Sequence, residues 1–291
     1  MTAIGATIAG MALYSASDIV SKYIGTAYSP SQLLFFRSLI AVVFVAVMLV
    51  ATGQFRGFPG IFNRIAMLRS LFDCSSNVSF LVAVVHLPLS VMISLAMTAP
   101  LILTALSAVF FNEHVGWRRW AAVAFGFAGA ILVVKPSPTS LDLWMILALC
   151  CALFSALRDI TTFRVGTAVP SLVLTLAAAV ASVIGGALLG LQEKWMPFTR
   201  LDFGILCTGA AFHCLGMLVM VIATRIANPS IIAPFRYTVL IWAVLAGYFF
   251  FGEVPDGWAI VGGMMIVGSG IYTAHRQRVA HAAAVTPAAK P

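Results

Sequence analysis

Phe110-Phe111-Asn112-Glu113-His114-Val115-Gly116-Trp117 and Phe250-Phe251-Gly252-Glu253-Val254-Pro255-Asp256-Gly257-Trp258 are one phrase written twice, 140 residues apart. Each runs from an aromatic pair through Glu to Trp, and the second carries one extra residue at Pro255-Asp256. The same shift aligns the chain outward from there. Ser90 falls on Ser230, Phe72 and Cys74 on Phe212 and Cys214, and Pro30-Ser31 on Pro170-Ser171. Further back, Ser15-Ala16 falls on Ser155-Ala156 and Ala12-Leu13 on Ala152-Leu153. Allowing the inserted residue, Asp18 falls on Asp159. The chain therefore reads as a duplication of 1–135 and 142–278. The stretch Lys135-Pro136-Ser137-Pro138-Thr139-Ser140 joins the copies, and the Ala- and Pro-rich 279–291 reads as a disordered tail.

Composition sets the solvent. Of 291 residues, 62% are hydrophobic and 9% charged, with a mean hydropathy of +1.04. A soluble domain carries about 25% charged residues, so this chain lacks the polar surface to meet water. A barrel strand would alternate apolar and polar residues. Here the runs are apolar nearly all round and long enough for helices of about 20 residues. They fall at 4–24, 31–52, 65–86, 88–111, 117–134, 142–163, 169–191, 202–225, 229–251 and 257–275. Pro30, Pro88, Pro170 and Pro229 stand at helix starts, where a missing N–H costs nothing. Five spans per copy is an odd number, so the second copy must sit upside down relative to the first. The expected fold is an all-α integral membrane protein, with ten transmembrane helices as two inverted five-helix repeats around a central cavity.

The first span follows Met1-Thr2-Ala3 without a positive leader and reads as a retained helix. Cys74, Cys150, Cys151, Cys207 and Cys214 all fall inside spans, as small packing residues rather than disulfides or metal ligands. Arg56, Arg64, Arg118, Arg119, Arg164, Arg225, Arg276, Arg278 and Lys290 gather on the side of the N-terminus, against Lys22, Lys135, Lys194 and Arg200 opposite. This bias places both termini in the cytoplasm. It also accounts for the net charge of +8, whose scatter over loop ends excludes a nucleic-acid stripe. The sequence has no Walker A loop, dinucleotide fingerprint or zincin spacing. It has no converging nucleophile and base. A nucleotide-powered pump and a membrane metalloprotease both lose their main signatures, and no enzyme activity, cofactor or metal is expected on this reading.

Four basic residues, Arg37, Arg69, Arg158 and Arg236, lie within spans. A charge there costs about 2.5–3.5 kcal/mol on insertion scales, so each should face protein or water. Polar stripes recur at helical spacing. The third span carries Arg69, Asp73, Ser76, Asn77 and Phe80; the sixth, Ser155, Arg158, Asp159 and Thr162. The first carries Met11, Tyr14, Ser15, Asp18 and Lys22; the eighth, His213, Met217, Met220 and Thr224; the ninth, Pro234, Tyr237, Thr238 and Trp242. Such stripes either glue helices together or converge on a wet cavity. On the second reading Met11, Tyr14, Ser15, Asn77, Phe80, His213, Met217, Tyr237 and Trp242 meet a substrate. Asp18, Lys22, Arg37, Arg69, Asp73, Arg158, Asp159 and Arg236 then form charge pairs. Asp18 with Lys22 or Arg37, and Asp159 with Arg158 or Arg236, would gate opposite faces. Glu113 and Glu253 read as caps of the helices that follow them, and Gly186 and Gly190 as a close-packing face.

Two halves that each close with an aromatic run, a Glu turn, a Trp and a glycine-rich last helix resemble the drug/metabolite transporter superfamily. The carrying residues are the two opening phrases with Gly126 and Gly129 in the first copy, and Gly268 and Gly270 in the second. The chain is similar to the ten-helix bacterial EamA-type exporters. That resemblance implies a central cavity inside spans one to four and six to nine, with the fifth and tenth outside. It implies export of amino acids, drugs or other metabolites across a bacterial inner membrane. The expected partners are a small-molecule substrate and the lipid bilayer, with the chain a monomer or a homodimer. Tyr14, Phe80, Tyr237 and Trp242 could stack on an aromatic or apolar side chain, and Arg could meet a carboxylate. The expected function is export of amino acids or similar small metabolites by alternating access, facilitative or by exchange. The alternatives are a proton-coupled drug or metabolite efflux carrier and, in another class, a channel or membrane-embedded enzyme.

Overall fold

The computed structural model describes residues 2–53, 60, 62–110, 116–134, 142–165, 169–191, 193–226 and 234–285. All regular elements among them are helical: α1 (Ala3–Gly25), α2 (Pro30–Thr52), α3 (Arg64–His86), α4 (Leu89–Ala96), α5 (Ala99–Phe110), α6 (Trp117–Val134), α7 (Leu143–Val165), α8 (Ser171–Gly190), α9 (Arg200–Ile226), α10 (Thr238–Phe251) and α11 (Gly257–Val285). With α4 and α5 taken as one stretch, nine are long and apolar enough to cross a bilayer, and α6 adds a shorter apolar helix, Trp120–Val134. The interrepeat stretch, Glu113, Pro229 and Ser230 lie outside the described residues. α11 runs on to Val285, into the stretch read from sequence as a tail, while 286–291 lie outside the described residues.

Local chemistry marks the helix ends. Thr2 Oγ1 accepts from the Gly5 amide (3.2 Å), Ser29 Oγ from Gln32 (3.4 Å) ahead of Pro30, and Asn63 Oδ1 from Ile65 (2.9 Å). Each occupies one orphan donor of a first turn. Gly53 and Gly252 end α2 and α10 at φ 66° and 65°, a left-handed conformation that a Cβ would disfavour.

The packing shows the inversion directly. The most extensive helix pairs are α1 with α9, α3 with α7, α6 with α11 and α2 with α8. Under the repeat α1 corresponds to α7, α3 to α9, α2 to α8 and α6 to α11. The α1–α9 contact is therefore the image of α3–α7, while α2–α8 and α6–α11 are their own images. The self-paired seams run antiparallel. Along α6–α11, Gly126 meets Ser269 while Gly129 meets Gly262 and Met265. Along α2–α8, Gly186 sits against the Phe35 backbone and Ser31 O, while Val45 and Leu49 join Leu172, Val173 and Leu174 at the other end. Lipid tails are as apolar as Leu, so such seams depend on close approach of small residues rather than on the hydrophobic effect.

The fourth span of each half departs from expectation in the same way. Rather than one helix over 88–111, α4 stops at Ala96 and α5 begins at Ala99. Pro100 has no N–H and disfavours helical geometry at Ala99, and the chain turns on Thr98 N–H to Leu95 O (3.0 Å). In the second half α10 begins only at Thr238, after a turn closed by Tyr237 N–H to Pro234 O (3.3 Å). Met97 and Tyr237 are 140 residues apart, so the breaks are images of each other.

Candidate functional site

Between the halves lies a cavity of about 420 Å³. α1 lines it with Met11, Tyr14 and Asp18, α2 with Arg37, and α3 with Ser76, Asn77 and Phe80. α7 adds Ser155, Arg158 and Asp159; α9, His213; and the α10 region, Arg236, Tyr237 and Val239. The polar stripes of five elements thus converge, and Asp18 and Asp159, expected at opposite faces, border one space. Tyr14 and His213 face each other with ring centroids 5.3 Å apart.

A polar network crosses from one half to the other along this wall. Arg37 Nη1 donates to Ser21 Oγ (3.3 Å) and Nη2 to Asn77 Oδ1 (3.3 Å). Asn77 Nδ2 donates to Asp73 Oδ2 (3.3 Å), and Asp73 Oδ1 accepts from Arg158 Nη1 (3.2 Å). Arg158 also holds Asp159 Oδ1, through Nε at 3.0 Å and Nη2 at 2.9 Å. Ser76 Oγ reaches Ser155 Oγ (2.8 Å) and Cys151 O (3.1 Å) beside it. In a low-dielectric bundle these bonds are strong, and any member left alone is costly.

Several expected site residues stand elsewhere. Ser15 is buried away from the cavity, its hydroxyl without a partner among the described residues. Met217 packs on the α2–α8 cluster around Val45 and Leu49, and Trp242 on the main apolar core. Arg69 does not pair with Asp73. Its Nε donates to Thr162 Oγ1 (3.3 Å) and its Nη1 to Leu174 O (2.9 Å), tying α3 to α7 and α8. Asp73 lies behind the cavity wall as the acceptor for Arg158. Asp159 pairs with Arg158, and Arg236 makes no ion pair among the described residues.

Lys22 is the largest correction. It turns away from Asp18 to the far face, where α1 ends. There Nζ donates to Leu87 O (2.7 Å) and pairs with Glu253 Oε1, 5.0 Å over the Phe251 ring. Glu253 Oε2 accepts from the Leu89 amide (2.8 Å). Glu253 therefore caps α4 rather than the helix after it, while Asp256 Oδ1 caps α11 through the Ala259 amide (2.7 Å). One buried ion pair ties together α1, the α3–α4 turn and the α10–α11 turn.

Sequence reasoning also missed part of the lining. Met97, Ala99, Pro100 and Thr104 come from the α4–α5 break and α5, and Gly270, Thr273 and Ala274 from α11. The last three correct the expectation that the tenth span lies wholly outside. Pro100 and the Met97–Tyr237 correspondence were the available signals. All five cysteines are free thiols, and no group of three potential metal ligands occurs among the described residues.

Known proteins share this organisation. The profile described as the EamA-like transporter family matches residues 1–135 and again 142–273. The chain is 24% identical over 270 residues to an S-adenosylmethionine uptake transporter of Rickettsia bellii, covering 91% of each chain. It is 23% identical over 256 residues to the pseudopaline exporter CntI of Pseudomonas aeruginosa, covering 87% of this chain and 89% of that one. It is 28% identical over 175 residues to a riboflavin transporter of Vibrio cholerae, covering 60% of this chain and 59% of the relative. A solved crystal structure superposes with a TM-score of 0.62 at 16% identity, covering 94% of this chain and 98% of the other, which bears on the fold alone. Because the match runs through both copies, the chain belongs to the EamA-like transporter family, and with it to the multi-pass membrane proteins that move small molecules rather than convert them.

Proposed function

We propose that the chain exports amino acids or similar small metabolites across the bacterial inner membrane by alternating access, with both termini cytoplasmic. The observation that carries this is a polar cavity shared by two inverted halves, with a buried Lys22–Glu253 pair tying the end of α1 to the α3–α4 and α10–α11 turns. In an alternating-access cycle that pair acts as a latch, which a channel does not need. Phe80, Tyr14 and Tyr237 give the cavity aromatic faces suited to an apolar or aromatic side chain. The Arg158 network keeps its charges internally matched, which favours a facilitator or exchanger. The related proteins are named for uptake in one case and export in another, as expected of carriers whose net direction follows the gradient.

Reconstitution in proteoliposomes tests the reading. Counterflow of the twenty amino acids, with and without a pH gradient, should reveal saturable exchange of a subset. Non-saturable flux would indicate a channel. Flux that appears only with the pH gradient would favour the proton-coupled alternative, and the absence of counterflow for every amino acid would remove amino acids as the substrate.

A further inference from the structure

α10 and α11 follow one another in the chain, yet they do not pack along each other. α10 lies on α1 and α4, and α11 on α6. The corresponding pair in the first half, α5 and α6, is in contact. The gap between α10 and α11 is a groove of about 670 Å³. Its floor is the buried Ser90 and Ser94 of α4, with Gly263 of α11 close against Ser94. Its rim is Ile241 and Leu245 on one side and Ile260 and Met264 on the other, all exposed on the outer surface of membrane-spanning helices. No charged residue lines it among the described residues.

The shape of the groove selects its occupant. Helices that associate in lipid need small residues at the contact, so that their backbones can approach. Here the small residues lie at the bottom and bulky ones at the lip, a slot that admits a thin chain rather than a second helix. Along α11 the slot runs from Ile260 to Ile271, about 16 Å at the helical rise. One leaflet of a hydrocarbon core about 30 Å thick is about 15 Å deep. The slot begins at the far face, near the Glu253–Leu89 contact, and ends at Tyr237, which also borders the central cavity.

Its hydroxyls are unequally answered. Ser94 Oγ donates to Ser90 O (2.7 Å) and Thr238 Oγ1 to Phe235 O (2.7 Å). The Tyr237 hydroxyl lies against Gly270 of the central cavity wall, away from the groove. The Ser90 hydroxyl, on a residue 4% exposed, has no partner among the described residues. A buried donor left unmet is costly unless a ligand answers it. Ser90 is the second residue of α4, at the far-face end of the span. That is the level of the bilayer interface, where the ester carbonyls of phospholipids lie.

We propose that the α10–α11 groove binds one acyl chain of a far-leaflet phospholipid, its ester carbonyl accepting from Ser90 Oγ and its tail ending against Tyr237. The tail covers the outer side of a ring whose inner side faces the central cavity, and so seals that cavity from the bilayer.

The test is native mass spectrometry of the purified full-length protein, titrated in detergent with dipalmitoyl phosphatidylglycerol and with its diether analogue, which lacks the ester carbonyls. Wild type should retain one ester lipid after weaker adducts are stripped, and should bind the diether about fivefold less tightly. Ser90→Ala should weaken the ester lipid by the same factor and leave the diether unchanged. Gly268→Leu grows from the groove wall into open space, with nothing within 4 Å of the added Cβ, and favours the helix. It should fold and lose the lipid. Gly268 also borders a second recess beside Trp117. Val244→Phe, on α10, fills the groove alone and should lose the lipid too, while Ala121→Leu in that recess should keep it. Unliganded melting checks that each variant folds. The inference is overturned if wild type retains no lipid that Gly268→Leu and Val244→Phe both lose, or if Ser90→Ala binds ester and diether as wild type does. It is equally overturned if the groove variants instead abolish a dimer, which would make a second copy the occupant.

Discussion

Replacing Lys22 by Met should unlatch the far face. Lys22 and Glu253 side chains are 7% and 19% exposed, so both are largely desolvated when the latch is closed. Removing one member of a buried pair costs about 3–5 kcal/mol, because the survivor keeps its charge and loses its match. Glu253 would still hold the Leu89 amide and is partly wet, which lowers the expected cost to about 2–3 kcal/mol. The penalty falls on the closed state alone, since an opened face wets both groups. At 1.4 kcal/mol per decade, the far-open population should rise about 30- to 140-fold. The assay starts from a variant lacking Cys74, Cys150, Cys151, Cys207 and Cys214, with a single cysteine at Ile93, a buried cavity-wall position one turn inside the latch. A membrane-impermeant maleimide applied from the far side then reports opening as a labelling rate. Lys22→Met should speed labelling by that factor, and adding Glu253→Gln should reverse most of the gain by removing the stranded charge. A rate within threefold of the parent, or a double variant as fast as the single, would refute the latch.

The α6–α11 seam should be intolerant of volume. A Cβ on Gly262 would lie 2.5 Å from Gly129 O, so Gly262→Val should cost about 1–3 kcal/mol and lower the melting temperature in detergent. Gly116→Ala, with nothing within 4 Å of the added carbon, should leave it unchanged. Trp117 and Trp258 are 75% and 60% exposed at the starts of antiparallel helices, so cysteines placed there should label from opposite compartments, and labelling from one compartment would break the inversion. Arg158→Gln should abolish counterflow by stranding Asp73 and Asp159. Adding Asp73→Asn and Asp159→Asn should recover protein yield, and equal yields with and without them would mean that the network contributes little.

What the sequence revealed and what it hid divide along a physical line. Span number, inversion and the cavity-facing stripes of Tyr14, Asn77, Arg158 and His213 follow from hydropathy and spacing, which are properties of single helices and their order. The partners of long charged side chains do not. Lys22 and Asp18 share a helix face, yet Lys22 Nζ reaches Glu253, 231 residues away, because the end of α1 meets the α10–α11 turn only in the folded bundle. The same holds for Arg69, which finds Leu174 O rather than Asp73 one turn along. The fourth-span breaks were partly legible. Pro100 signals one and Pro234, in the turn before α10, the other, but the repeat is needed to pair Met97 with Tyr237. Met217 and Trp242 show the remaining ambiguity, since helical spacing tells which residues share a face but not what that face meets.

Two seams in this bundle, α2 with α8 and α6 with α11, are their own images under the exchange of halves. A rotation that swaps two bodies leaves unmoved only the points on its axis, so a line drawn through both seams is that axis, lying in the plane of the bilayer. In a rocking cycle, probes straddling either seam should keep their separation while those across α1–α9 and α3–α7 trade values. The seams are thus a built-in ruler, against which every other movement of the protein can be measured.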